Sequence, residues 1–117
     1  MILKRLKLKN YLQHAARDIE ISGTLIAVVG KNGAGKSNLL GAIQFALTGE
    51  QPGYSKSELL SWGASDGTVT LEFEHNGTPG KITRSVSGSS AEFTYGDVTV
   101  RGITAVAAAV KEHIGAD

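Results

Sequence analysis

The residues Gly30-Lys-Asn-Gly-Ala-Gly-Lys-Ser37 carry the most specific chemistry in this chain. A glycine, four residues, then Gly35-Lys36-Ser37 is the spacing of a phosphate-binding loop, in which backbone amides cradle phosphates, the lysine reaches the terminal ones and the hydroxyl binds magnesium. The rival reading is a glycine-rich turn that only links a strand to a helix. The flanks favour the loop. Leu25–Val29 is a continuous apolar run rich in β-branched residues, as a buried parallel strand requires. Leu39, Leu40, Ile43 and Leu47 then recur at helical spacing, predicting a helix from about Lys36 to Leu47 that stops at Thr48-Gly49. Unpaired amides and the positive end of that helix dipole would point at an anion above Gly33 to Ser37, so phosphate binding and helix capping become one interaction.

Other chemically capable residues are weaker. Lys4, Arg5, Lys7 and Lys9 give the N-terminal segment a basic face. Lysines there can neutralise a DNA backbone without reading sequence, but a solvated face that protects a sheet edge is the favoured reading. His14 suits a surface or capping role better than nucleotide contact. Trp62, the single tryptophan, suits closure of a small core or a partner surface better than stacking on adenine. Glu72 and Glu74 form a carboxylate pair, yet their alternation with Val69, Leu71 and Phe73 turns them outward to solvent.

Composition bounds what these groups serve. A chain of 117 residues makes one domain at most, with a modest core. Its net charge of +1 argues against a wholesale polyanion binder, so nucleic-acid contact needs a local patch. Without cysteine there are no disulfides or thiolate metal sites, which fits a reducing interior. Charges interrupt the first residues too often for a signal-peptide core, and no apolar run is long enough to span a bilayer.

The elements that must hold the loop read in order as follows. Ile2, Leu6 and Leu8 are expected on the inner face of a first strand, with Arg5, Lys7 and Lys9 outside. Asn10 to Arg17 reads as a polar connection, and Asp18 to Ile21 as a short strand pairing back before a Ser22-Gly23 turn. After the loop and its helix, Gln51 to Tyr54 is a turn-rich stretch, and Ser55 or Ser57 can cap a short helix through Leu60. A strand over Val69 to Glu74 turns at Asn76-Gly77 into a return strand at Lys81 to Val86. A second hairpin joins Glu92 to Tyr95 and Val98 to Arg101 through Gly96-Asp97. Ile103, Val106, Val110 and Ile114 predict a closing helix, whose alanines 107 to 109 favour close packing.

Hydrolysis needs a further acidic residue, usually at the end of an apolar strand, to hold magnesium and polarise water. None is found in that context, so the chain reads as the binding half of an ATPase.

The order Leu6-Lys-Leu-Lys-Asn-Tyr, Ile19-Glu-Ile, then Leu25 through the loop to Asn38-Leu-Leu-Gly-Ala-Ile43 resembles the N-terminal half of the SMC-like DNA-repair ATPases, including the SbcC type. The likeness continues through Ser57-Glu-Leu-Leu-Ser-Trp-Gly-Ala, Val69 to Glu74 and Ile82-Thr-Arg-Ser-Val, nearly the whole chain. It implies an α/β P-loop fold of ABC-ATPase type: residues 1–117 as the N-terminal half of a head, divided into 1–49 (strand pair, P-loop and helix) and 50–117 (loop, flanking antiparallel β segment and C-terminal helix). It also implies that Gly30, Asn32, Gly33, Ala34, Gly35 and Lys36 contact phosphate, Lys36 being the catalytic group, that Ser37 binds Mg2+ and that Asn38 reaches the α-phosphate. Leu12-Gln13 stands where the family often has an arginine, and Gly41 where an acid is common. The first departure leaves a phosphate contact unfilled, while the second changes packing.

The same resemblance implies ATP and Mg2+ as ligands. Its expected partners are a C-terminal segment of the same ATPase, a second head, a nuclease subunit and DNA, in an intracellular, cytoplasmic setting without membrane. It puts Asp117 just before a glutamine-bearing loop, so that hydrolysis is expected only after completion by the C-terminal segment. A RecF-like gap-repair ATPase is the close alternative, followed by a transporter ATPase, whose adenine platform would have to be Tyr11, and by an interaction module with a fossil loop.

Overall fold

Among the described residues, alternating apolar and polar side chains build one antiparallel sheet, and two helices cover its apolar face. The computed structural model describes residues 2–11, 14–24, 36–49, 66–87 and 90–114. The expected central strand Leu25–Val29, the loop residues Gly30 to Gly35, and the segment containing Ser55, Ser57, Leu60 and Trp62 lie outside the described residues.

Strand β1 (Ile2–Tyr11) pairs with β2 (His14–Thr24) from Ile2 opposite Thr24 to Tyr11 opposite His14. The expected polar connection over Asn10 to Arg17 and the short strand at Asp18 to Ile21 are therefore corrected to one long hairpin. Arg17 and Ala16 each find a partner, Leu8 and Lys9, because polar side chains are tolerated where a strand lies at the edge of a sheet.

The expected inner set of Ile2, Leu6 and Leu8 is corrected as well. Between Leu3 and Arg5, β1 advances two residues while its other neighbour β3 (Thr68–His75) advances one, from Phe73 to Glu72. The extra residue reverses the alternation, so Leu3 joins Leu6 and Leu8 inside and Ile2 is left 38% exposed. A second irregularity follows at Asn10, whose φ of 52° is in the left-handed region that asparagine tolerates. Beyond it Tyr11 turns into the core, with its ring centroid 5.7 Å from that of Phe45.

From β3 the chain reverses at Asn76 and Gly77, both with positive φ as a two-residue hairpin demands. It returns as β4 (Thr78–Ser85), three residues earlier than the expected Lys81, because Thr78, Pro79 and Gly80 pair with His75, Glu74 and Phe73. Val86, expected as the end of that strand, lies just beyond it and donates its amide to the Gly67 carbonyl at 2.9 Å. Strands β5 (Ala91–Tyr95) and β6 (Val98–Arg101) form the second expected hairpin. The sheet order is β2-β1-β3-β4-β5-β6, so the N-terminal hairpin and the later antiparallel strands form a single sheet.

Helix α1 (Lys36–Thr48) packs on β3 and β4, helix α2 (Ile103–Ile114) packs on β5 and β6, and the helices touch one another. Between them and the sheet lie Leu3, Leu6, Leu71, Phe73, Ile82 and Phe93 from the strands, with Ile43, Phe45, Val106 and Val110 from the helices. Close packing of alanines 107 to 109 is corrected to Ala109 alone, since a helix of 3.6 residues per turn cannot put three consecutive residues on one face.

Candidate nucleotide site

Helix α1 begins at Lys36, where the loop spacing requires a helix to begin. Its first turn contains no acidic residue, so the positive end of its dipole is not offset by a carboxylate there. That polarity fits a phosphate ligand. The side chains of Lys36, Ser37 and Asn38 lie outside the described residues, as do Gly30, Asn32, Gly33, Ala34 and Gly35. Among the described residues no cluster of His, Asp and Glu could hold a metal ion.

The far end of α1 is tied down with unusual completeness. Gly49 takes φ 85° and donates its amide to the Phe45 carbonyl at 2.7 Å, the left-handed stop expected at Thr48-Gly49. The Thr48 hydroxyl donates to the Gln44 carbonyl. Arg84 of β4 then reaches in from the sheet: its Nε donates to the Ala46 carbonyl at 2.7 Å and its Nη2 to the Leu47 carbonyl at 3.2 Å. Arg84 is 3% exposed, and burial pulls its guanidinium below its ordinary value. No carboxylate pairs with it among the described residues, so helix-end carbonyls and the negative end of the dipole compensate the charge. Sequence reasoning missed Arg84. The signal was its parity with Ile82 and Val86, which puts it on the inward face of the strand.

A second node joins the hairpin to the rest of the sheet. The Asn10 side chain donates through Nδ2 to the Asp66 backbone carbonyl at 3.0 Å, while the Asp66 carboxylate accepts from the Gly67 backbone amide and from the backbone amide and hydroxyl of Ser87. The Gly67 amide is the main cause holding Asp66 below its ordinary 3.8, partly opposed by desolvation and helped by Ser87.

The basic N-terminal residues are brought onto the polar side of the sheet, where two of the four, Arg5 and Lys7, are neutralised. Arg5 bonds Asp18 at 2.9 Å and lies 3.9 Å from Glu20, and Lys7 lies 3.6 Å from Glu72. Lys4 and Lys9 are exposed. Glu72 and Glu74 face the same polar side, Glu72 serving Lys7. His14 opens β2 opposite Tyr11. Tyr11 itself is fully buried against Phe45, which removes it as a platform for a nucleobase. No helix among the described residues is long and apolar enough to cross a membrane.

Among the described residues, a six-stranded antiparallel sheet backed by a helix that starts at Lys36 defines an α/β unit of the kind found in SMC and RecF structures. The chain belongs to the AAA domain family, which it matches over residues 5–109. It is similar to the DNA double-strand break repair Rad50 ATPase of Methanocaldococcus jannaschii, at 33% identity over all of this chain and 12% of that relative. Among solved structures, one from work on ATP-driven dimerization and DNA-stimulated activation of SMC ATPases superposes with a TM-score of 0.61 at 20% identity, over 92% of this chain and 76% of that one. The recombination mediator protein RecF gives a TM-score of 0.63 at 21% identity, over 89% of this chain and 29% of that one. Both structural likenesses carry the fold. By sequence the chain is similar to one segment of the Rad50 ATPases, at 33% identity to each of two of them. It spans about an eighth of the length of the curated relatives it matches.

Proposed function

We propose that this chain is the ATP-binding segment of a DNA double-strand-break repair ATPase. The observation that carries the reading is the coincidence of the Gly30–Ser37 spacing with a helix that begins at Lys36 inside a family-matched span. In this reading Gly30, Asn32, Gly33, Ala34 and Gly35 surround the phosphates with amides. Lys36 neutralises the terminal phosphate charge, Ser37 ligates Mg2+ and Asn38 reaches the α-phosphate. The second acid that hydrolysis needs comes from a C-terminal segment of the same ATPase, and two such heads close on ATP. Head closure then regulates a nuclease acting on DNA ends, in an intracellular setting. Lys4 and Lys9, exposed and outside the ion pairs of their neighbours, are the residues of the basic face left for a DNA backbone.

Mixing the chain with a C-terminal segment that carries the acidic strand should raise ATP turnover well above that of either part. An unchanged rate would sink the shared-site reading. Calorimetry with ATP and Mg2+ on the unsubstituted chain and on Lys36→Ala separates it from an interaction module with a fossil loop, for which the two would bind alike. The fold likeness to RecF keeps a gap-repair ATPase as the second reading. Long heptad repeats after Asp117 belong only to the double-strand-break type.

A further inference from the structure

Helix α1 is held by the sheet at its C-terminal end. It starts at Lys36, the seventh residue of the Gly30–Ser37 spacing, and its C-terminus, about 20 Å away, is bonded by Arg84 on β4. The last turn of any helix leaves carbonyls without intrahelical partners. Here the Phe45 carbonyl takes the Gly49 amide, while those of Ala46 and Leu47 take the two arms of one guanidinium. An arginine is an expensive way to satisfy two carbonyls, because a buried cation must give up its water. A serine, an asparagine or solvent would do the same for less. The planar fork adds a fixed direction: two bonds from one rigid group set both the rotation and the axial position of the helix end. The space around it is closed, since a Cβ on Gly49 would lie 3.3 Å from Arg84 Nη1.

We propose that Arg84 is a positioning residue of the nucleotide site. It fixes α1 on β4 so that the helix N-terminus meets the phosphates at the right height and rotation. This rests on the ATP-binding reading above. The helix carries no Gly or Pro break between its two ends except Gly41, which is buried against the core, so a displacement at one end is passed to the other as a rigid shift. By linkage, an effect of Arg84 on nucleotide affinity must be matched by an effect of nucleotide on the Arg84 bonds. The antiparallel sheet and the phosphate loop would thereby sense each other through one side chain.

The test uses the full chain with ATP and Mg2+, in two independent measurements. The first follows the Arg84 Nε–H resonance and its exchange with solvent during a nucleotide titration of the unsubstituted chain. It should shift and exchange more slowly as ATP binds. A cap with only a structural role would keep the same signal throughout. The second compares dissociation constants for Arg84→Lys and Arg84→Met. Methionine, which fills the space without donors, should weaken ATP binding by about fivefold or more, and lysine, which keeps the charge but only one carbonyl, should fall between. If Arg84→Met does not fold, the lysine variant and the Nε–H signal still decide. Binding by the unsubstituted chain with an unmoved Nε–H signal and unchanged affinity in the variants overturns the role of Arg84 alone. Absence of ATP binding by the unsubstituted chain overturns the ATP-binding reading and this inference with it.

Discussion

Gly67 and Gly80 show at the scale of single residues how little freedom this sheet leaves. A Cβ on Gly67 would lie 2.2 Å from the Lys9 carbonyl oxygen and 2.8 Å from that of Asn10, both backbone atoms that cannot swing away. On Gly80 the obstacle is the Phe73 ring, 2.3 Å from the added carbon. Gly67→Ala should therefore lower the urea midpoint by the equivalent of about 2 kcal/mol, within the ordinary range for overpacking. Gly77→Ala, in open space with φ 78°, should cost about 1 kcal/mol from left-handed strain alone. Equal losses at the two sites would mean that the crowding at Gly67 is relieved by movement of β1. Gly77 was legible in the sequence because Asn-Gly has a local meaning, whereas Gly67 and Arg84 owe theirs to residues far along the chain. Arg84 meets carbonyls 37 and 38 positions earlier, a relation that no local pattern records.

Among the elements, the later hairpins and the helices followed from periodicity, and the departures came at the polar edge strand β2 and where a strand had to satisfy two neighbours at once. β3, β5, β6 and α2 sit close to their expected limits because alternation, Asn-Gly and Gly-Asp turns, and helical spacing all act locally. β1 departs because it lies between β2 and β3, where a one-residue slip turns Leu3 inward and Ile2 outward. The start of β3 and the turn after β4 are joined by Asp66, which bonds Gly67 and Ser87. Those bonds form with the carboxylate, so the folded-state value is depressed below the ordinary 3.8. A depressed acid contributes stability that is fully present above its unfolded-state value and is lost as pH falls through the folded one. Asp66→Asn should accordingly be less stable than the unsubstituted chain near neutral pH, with the gap narrowing as pH drops below about 4. Urea unfolding at several pH values measures it, and a gap that stays constant with pH would remove the carboxylate charge from the explanation. The ion pairs of Arg5, Lys7 and Arg101 on the exposed face should matter far less, and salt should weaken them further.

For the whole molecule, α1 is the member that both halves of the sheet grip. Phe45 meets Tyr11 of β1 through ring centroids 5.7 Å apart, while Arg84 of β4 holds the last turn. Phe45→Ala would empty a fully buried site at that junction and should cost about 3 to 5 kcal/mol, a large share of the roughly 5 to 15 kcal/mol that holds a domain of this size folded. Loss at the same position should also loosen β1, so its amides should exchange faster than those of β5 and β6. A nucleotide bound at Gly30–Ser37, as proposed above, would act on this same balance in the opposite direction. A nucleotide that binds only the folded chain adds stability as RT ln(1 + [L]/Kd), about 2.7 kcal/mol at a hundredfold excess over Kd. The unfolding temperature of the unsubstituted chain should thus climb with the logarithm of ATP concentration in the presence of Mg2+, while that of Lys36→Ala, which keeps the helix but lacks the cation for the terminal phosphates, should climb only at much higher ATP. The two slopes converge once both proteins are saturated, because linkage depends on ligand in excess of Kd and not on how the site is built. Parallel curves from the lowest ATP concentrations upward would mean that stabilisation comes from ATP acting elsewhere on the protein, and the Gly30–Ser37 loop would then be a strand-to-helix turn with no phosphate to hold.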